Sequence, residues 1–357
     1  MLKKYLILAI NPGSTSTKIA LYENETPLFE EVIRHNREEV AVFASTVDQY
    51  DYRLAVINDA LAKHGVKATD LSAVVGRGGP LKSIPSGTYI VNDKMVDDLR
   101  FHVQSDHASR LGGLLARGLA ETAGVPAFIV DPVSVDEMEP IARLSGLPDM
   151  PRRSLFHALN IKAMARRAAK DIGKPLDSAT FILAHLGGGI SVAIQQKGRV
   201  IDVDNPQETG TFSPERAGGL PTAALVAACF SGKYTMEQMT RRLIGGGGLV
   251  AYLDTDDARE VERRIEAGDK EALLVFEAMA YQISKAIAAM ATVVCGEFDA
   301  IVLTGGLAYS QRLVNIIKER VSFLGKVLVY PGEDELEALS AGALRVVRGE
   351  EIARVYE

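Results

Sequence analysis

Two stretches in opposite halves of this chain share one design. Leu6-Ile-Leu-Ala-Ile-Asn11 runs into Gly13-Ser-Thr-Ser16, and Phe181-Ile-Leu-Ala-His-Leu186 runs into Gly187-Gly-Gly-Ile-Ser191. Each is a short apolar run that stops at a turn of glycine and hydroxyl residues. Two more β-rich runs complete each opening, Thr17–Tyr22 and Leu28–Arg34 in the first half, Ile190–Gln195 and Arg199–Val203 in the second. A chain of 357 residues is also longer than a single core usually serves. The repeated opening therefore predicts an α/β chain of two similar domains. Each would begin with a strand–polar turn–strand hairpin, and two such hairpins can clamp a nucleotide in a cleft.

The segments between fit alternating strands and helices. Residues 52–64 read as a helix ending at Gly65, Leu71–Gly76 as a short buried strand, and 107–123 as a helix ending at Gly124. Ala127–Asp131 is the next strand and 157–171 the next helix. Phe276, Met279, Ile283, Ile287, Met290 and Val294 recur at helical spacing and form a core face. Ala300–Leu303 is a strand, Thr304-Gly-Gly306 a tight turn, Ser310–Val321 a helix and Lys326–Tyr330 the last strand. The terminal helix, Glu335–Arg348, is expected to return to the first domain. With no linker or low-complexity tract, the domains are placed at 1–155 plus 338–357 and at 156–337.

Hydrophobic residues at 47% and charged residues at 24% are ordinary for a globular chain. A net charge of −6 argues against a nucleic-acid protein, whose footprint is basic. Cys229 and Cys295 lie in apolar helical patterns and read as buried free thiols, which fits a reducing cytoplasm. The apolar N-terminus is short and lacks a small-residue cleavage site, so it reads as a buried strand rather than a signal peptide. The most apolar helix, near 270–295, is interrupted by Glu277, Gln282 and Lys285, so no membrane span is expected.

Asn11-Pro-Gly-Ser-Thr-Ser-Thr-Lys18 lies between two strands. Its glycine lets the backbone approach a ligand, and its amides and hydroxyls suit phosphate oxygens. It is not a Walker loop, because the order of Gly and Lys is wrong and no helix follows. Alone it reads equally well as a polar hairpin turn. The second tip, His185-Leu-Gly-Gly-Gly189 with Ser191, favours phosphate binding at both. Thr304-Gly-Gly-Leu-Ala308 adds a glycine turn between strand and helix, a usual place for a nucleotide contact. Gly245-Gly-Gly-Gly248 reads as a loop allowing helices to approach the nucleotide, or as a flexible linker. His107 reads either as functional or as a plain helix-start residue, and His35, His64 and His102 as solvated or packing histidines. No zinc cluster is evident.

The Asn11–Lys18 motif, with His185-Leu-Gly-Gly-Gly-Ile-Ser-Val192, resembles the butyrate kinase family. That family is a branch of the acetate and propionate kinases within the actin–hexokinase superfamily, and the resemblance spans essentially the whole chain. It implies two actin/hexokinase-like (ribonuclease H-like) domains, ATP with Mg²⁺, a short-chain carboxylic acid and at least a homodimer. By similarity, Asp131 in Ile129-Val-Asp-Pro132 takes the place of a catalytic aspartate. His157 in Leu155-Phe-His-Ala158 and Arg216 in Gly210–Gly218 match a catalytic histidine and arginine. Asp257-Ala-Arg259 matches a nucleotide contact, and Glu335 a magnesium-holding glutamate, with Asp334 or Glu333 as alternatives. One segment departs from the pattern. Where acetate kinases have His-Arg-x-x-His-Gly-Gly, this chain has Ala73-Val-Val-Gly-Arg-Gly-Gly-Pro80. Val74 stands where the carboxylate-binding arginine belongs, and Arg77 is expected to supply that charge from nearby.

These residues suggest direct in-line transfer, in which alignment and charge stabilisation do most of the work. Arg77 would hold the acid's carboxylate, and Arg216 and His157 would donate to the equatorial oxygens. Asn11 and Glu335 would orient Mg²⁺, and Asp131 would orient metal-bound water or the arginines. Ser14, Lys18, His185, Gly187, Gly188, Gly189, Gly305 and Gly306 would contact the nucleotide. No general base is needed, because the acid is already ionised at neutral pH. A sugar kinase of the same fold, with Asp131 as base, is the enzymatic alternative. A nucleotide-dependent interaction protein would need a further domain, for which no residues remain.

Overall fold

The computed structural model describes residues 3–102 and 107–357. By internal packing they form two units, Met1–Asp136 with Asp334–Glu357, and Glu137–Glu333. The boundaries expected at 155/156 and 337/338 thus fall at 136/137 and 333/334. The reason is local. Glu139 N–H donates to Ile201 C=O at 2.9 Å, and Arg152 donates to Val203 C=O at 2.9 Å, so the segment after Asp136 is tied to the edge of the second unit's sheet.

The first unit holds β1 (Leu6–Pro12), β2 (Ser16–Glu23), β3 (Thr26–Arg34), β4 (Ala73–Arg77), β5 (Thr88–Ile90), β6 (Ala127–Val130) and, from the chain's end, Arg354–Val355. The second holds β7 (Thr180–Leu186), β8 (Ile190–Gln196), β9 (Arg199–Asp204), β10 (Ala300–Gly305) and β11 (Val327–Pro331), which makes Arg354–Val355 β12. The sheet orders are β12-β5-β6-β4-β1-β2-β3 and β11-β10-β7-β8-β9. Five strands correspond one for one. β1, β2 and β3 are antiparallel neighbours, as are β7, β8 and β9, while β4 and β6 run parallel to β1 as β10 and β11 run parallel to β7. The repeat seen in the sequence is a repeat of topology.

The first sheet is covered on both faces. Helices Tyr50–Lys63 and Arg110–Ala123 close one face over a core that includes Leu8, Ile10, Ile19, Leu21, Val74 and Ile129. Helix Glu335–Val347 covers the other, packing on β1, β4 and β6. Gly76 and Gly112 set the distance between β4 and its helix, since a Cβ on either would overlap the other element's backbone. In the second unit, helix Ala158–Asp171 packs on β7 and β10, and helix Lys270–Val293 packs on β7, β8 and β9. Lys270–Val293 is long and apolar enough to cross a membrane by length and composition. The expected stripe, Phe276, Met279, Ile283, Ile287 and Met290 with Val294 just past the helix, is built into the unit's core, so this is a core helix.

The expected strands and helices are present with ends shifted by up to three residues. The helix expected from 107 begins at Arg110, with Ser105 and Asp106 outside the described residues. Strand β5 and helices Asp93–Phe101, Thr222–Cys229, Met236–Leu243, Gly248–Leu253 and Ala258–Glu266 were not anticipated. The two cysteines correct the buried-thiol expectation, because both are exposed. Cys229 ends an apolar helix with no buried residue, and Cys295 follows the core helix in a left-handed turn (φ 54°).

Within the second unit Lys162 and Glu137 form a buried ion pair at 2.5 Å, with Lys162 also donating to Gly198 C=O and Glu137 accepting from Val200 N–H. Removing one member strands the other in the core, which typically costs about 3–5 kcal/mol. Lys162→Met should therefore show that loss in urea unfolding, and the double change Lys162→Met with Glu137→Leu should recover part of it. A single-variant loss below about 1 kcal/mol would remove the pair from the stability account.

Candidate active site

In the first unit the polar groups gather where parallel strands end. Asn11, one residue before the end of β1, lies opposite Lys18 on β2. Arg77 closes β4, and Asp131 directly follows β6. Glu335 opens the helix lying across these strands. Its carboxylate accepts from Arg77 at 2.9 and 3.1 Å and from the Asn11 amide. Arg77 also reaches Asn11 Oδ1 at 3.4 Å. Arg77, expected to hold the acid, and Asn11 with Glu335, expected to orient the metal, form one cluster. Lys18 and Ser14 are exposed at the same hairpin.

Asp131 is buried and held in a left-handed conformation (φ 39°), rare for a residue with a side chain. Its N–H donates to Gly87 C=O, and its Oδ1 accepts from Gly87 N–H at 2.8 Å and Ser86 hydroxyl at 2.6 Å. These bonds hold the strained turn in place.

The second unit's site surrounds the tip of β7 and β8. Leu186 pairs with Ile190, so Gly187–Gly189 is the turn itself. His185 is buried, with Nδ1 2.9 Å from Asn160 Oδ1 and Nε2 3.1 Å from Glu333 Oε1. His157 precedes helix Ala158–Asp171, lies 2.8 Å from Ser191 Oγ and stacks on His185 at 3.9 Å between ring centroids. The loop at residues 213–216 covers the turn, with Ser213 donating to Gly188 C=O at 2.5 Å.

Arg216 lies against Gly189 so closely that a Cβ there would fall on its guanidinium. Among the described residues no hydrogen bond or ion pair satisfies that guanidinium, and burial lowers its pKa, partly offset by the charge of neighbouring Glu215. A half-buried cation without a paired carboxylate is suited to an anion that arrives from outside. Its loop is fixed by the glycine run Gly245–Gly248. Gly245 N–H donates to Glu215 C=O at 2.8 Å, and a Cβ on Gly247 or Gly248 would overlap the backbone of Ala217 or Ser213. The run is a backbone docking surface for the Arg216 loop.

The remaining expected residues are dispersed. Gly305 ends β10 with φ 90°, packed on Leu186, while a Cβ on Gly306 would meet open space. Asp257 caps helix Ala258–Glu266 and pairs with Arg259 through two 2.9 Å contacts. The Asp257 carboxyl is held low by the bond from Arg259. His107 accepts from Ser109 at a helix start. Asn160, Ser213 and Ser86 were not anticipated. Single polar residues in otherwise apolar or turn segments carry no periodic signal.

A family model for the acetokinase family matches residues 150–338. A protein of Caldanaerobacter subterraneus subsp. tengcongensis described as "Probable butyrate kinase 2" is 53% identical over 352 residues, covering 99% of each chain. The chain belongs to the acetokinase family. It is a phosphotransferase, and membership implies ATP as phosphoryl donor. Among solved structures, the acetate kinase of Porphyromonas gingivalis superposes with a TM-score of 0.80 at 20% identity, covering 95% of this chain and 99% of that one. A propionate kinase of Francisella tularensis gives 0.75 at 19% identity, covering 94% and 98%. The fold is the acetate kinase form of the actin–hexokinase architecture, with two mixed sheets.

Arg216→Ala should lower kcat by about 10³- to 10⁵-fold, the range for charge-stabilising arginines in phosphoryl transfer, with an unchanged thermal midpoint. Gly189→Val, which displaces the same guanidinium, should lower kcat as well. Near-normal turnover in Arg216→Ala would take this arginine out of the reaction.

Proposed function

We propose that this chain transfers the γ-phosphoryl group of ATP to the carboxylate of butyrate or a branched C4–C5 acid, reversibly giving the acyl phosphate. The observation that carries the acid is the 53% identity, end to end, with a protein described as a butyrate kinase. The unpaired Arg216 beside the glycine turn supports phosphoryl transfer. The sugar-kinase alternative would need Asp131 as a base, whereas here its Oδ1 already accepts from Ser86 and Gly87.

The carboxylate attacks as it stands, so the protein's task is to align two anions and reduce their repulsion. Arg77 takes the acid's carboxylate in exchange for Glu335, a role suited to a planar fork of donors. Arg216 and His157 donate to the oxygens of the transferred group, and Asp131 holds the strand end beside Arg77 in its strained form. Lys18 and Ser14 on one hairpin, and His185 with Gly187–Gly189 on the other, bind phosphate oxygens. Gly305 and Gly306 leave room for the nucleotide, and Asp257 with Arg259 makes an outer contact to it.

The Asn11 amide meets the Glu335 carboxylate through its N–H group; with that amide turned, its oxygen and the carboxylate would form a hard donor set that fits Mg²⁺. Bound Mg²⁺ would neutralise phosphate charge. A homo-oligomer is part of this reading, supported by the exposed apolar helix Thr222–Cys229 and its exposed neighbours Phe230 and Met236.

A panel of linear and branched C2–C6 acids with ATP and Mg²⁺, with acyl phosphate trapped by hydroxylamine, tests the proposal. Each buried CH₂ contributes about 0.8 kcal/mol, so kcat/KM should rise from C2 to C4 and fall beyond C5, where overfilling strains the pocket. A maximum at acetate would reassign the acid, and absence of hydroxamate would end the carboxylate reading. Arg77→Ala should chiefly raise KM for the acid, and an unchanged KM would free Arg77 from that role.

A further inference from the structure

Beneath the Asn11–Lys18 hairpin lies a charge that has no partner charge among the described residues. Arg53, on helix Tyr50–Lys63, is fully buried. Its guanidinium makes five hydrogen bonds, all to neutral oxygens. Nε and Nη2 donate to Gln49 Oε1 at 3.0 and 2.8 Å, Nη1 to Ser16 C=O at 3.1 Å and Thr17 Oγ1 at 3.0 Å, and Nη2 to Ser14 C=O at 3.2 Å. Among the described residues no carboxylate forms an ion pair with it. Thr17 Oγ1 also bonds His35 Nε2 at 2.8 Å. Burial, then the Arg53 charge, pushes the His35 pKa down to about 4, so this ring is neutral near pH 7. Buried charges are ordinarily paired, and here none of the described residues supplies an anion.

The hairpin above is polarised to match. Ser14 and Ser16 carbonyls point to Arg53, Ser16 C=O also accepts from Gly13 N–H at 2.8 Å, and Thr15 C=O accepts from His35 N–H at 2.9 Å. Three successive carbonyls are therefore engaged by the protein. The N–H groups of Ser14 and Thr15 have no partner among the described residues, and both residues are exposed. Carbonyls held inward and N–H groups left outward make an anion-binding concavity.

We infer that Arg53 is a positioning residue for phosphate. It holds the carbonyls of the Asn11–Lys18 hairpin inward and supplies buried positive charge beneath it, so that the N–H groups of Ser14 and Thr15 receive a phosphate oxygen of ATP. This deepens the reading of that hairpin as a phosphate site and rests on it. The arginine touches no substrate and acts through the hairpin. Burial lowers its own pKa to about 10, consistent with a cation that lacks a neighbouring anion.

Arg53→Ala is a poor test, because losing five buried hydrogen bonds can unfold the unit. Gln49→Glu is sharper. It places a carboxylate on the oxygen that already accepts two Arg53 N–H groups, so it keeps the packing and neutralises the charge. The expected result is a thermal midpoint equal to or above the parent's, KM for ATP raised at least about fivefold because the field under the phosphate is lost, and KM for the acid unchanged. A parental KM for ATP in folded Gln49→Glu would overturn the inference, as would equal rises in both KM values. Lys18→Ala separates the two levels. If it leaves KM for ATP unchanged, the hairpin is not a phosphate site and the underlying reading fails. If it raises KM for ATP while Gln49→Glu does not, only the role of Arg53 fails.

Discussion

The central strands are buried on both faces, and that constraint decides where chemistry can be placed. β1, β4 and β6 in one unit, and β7 and β10 in the other, are lined by residues with almost no exposure. An unpaired polar group within them would cost its hydration. Polar side chains can therefore enter only where strands end. Asn11, Arg77 and Asp131 stand at or next to those ends in the first unit, and His185 and Gly305 do so in the second. Parallel pairing puts such ends on one edge, the usual ligand edge of an α/β sheet.

Charges in and around these sheets are handled in different ways. Arg77 is satisfied by Glu335 and Asn11, Lys162 by Glu137, and Arg53 by neutral oxygens alone. Arg216 is left without a hydrogen-bonding partner among the described residues. Fully paired groups resist change, because breaking a buried pair exposes the full desolvation cost of the remaining member. Groups that lack an anion instead favour one that binds. A kinase that must bring a carboxylate to a phosphate benefits from such unneutralised cations.

Much of the architecture was legible because it rests on periodicity. The runs Leu6–Asn11 and Phe181–Leu186 announced strands, the stripe from Phe276 to Val294 announced a core helix, and Gly65 and Gly124 marked helix ends. The helices between residues 222 and 266 were missed. Thr222–Cys229 is apolar all round and carries no one-sided pattern, and the next helices are only six to nine residues long. The same helix explains the error over Cys229, since an apolar sequence context does not bury a residue unless another element covers it.

Local order alone determined the alternation of elements, the two hairpins with their glycine turns, and the motif resemblance that pointed to a carboxylate kinase. These depend on residues adjacent in sequence, where backbone preference and side-chain period act directly. Only the tertiary structure decided which distant groups meet. Glu335 reaches Arg77 across most of the chain, Arg53 lies under a hairpin more than thirty residues before it in sequence, and Gly245–Gly248 seats the loop of Arg216. Such contacts follow from how helices pack on sheets, and packing depends on the whole complementary surface of each element rather than on any local run of residues.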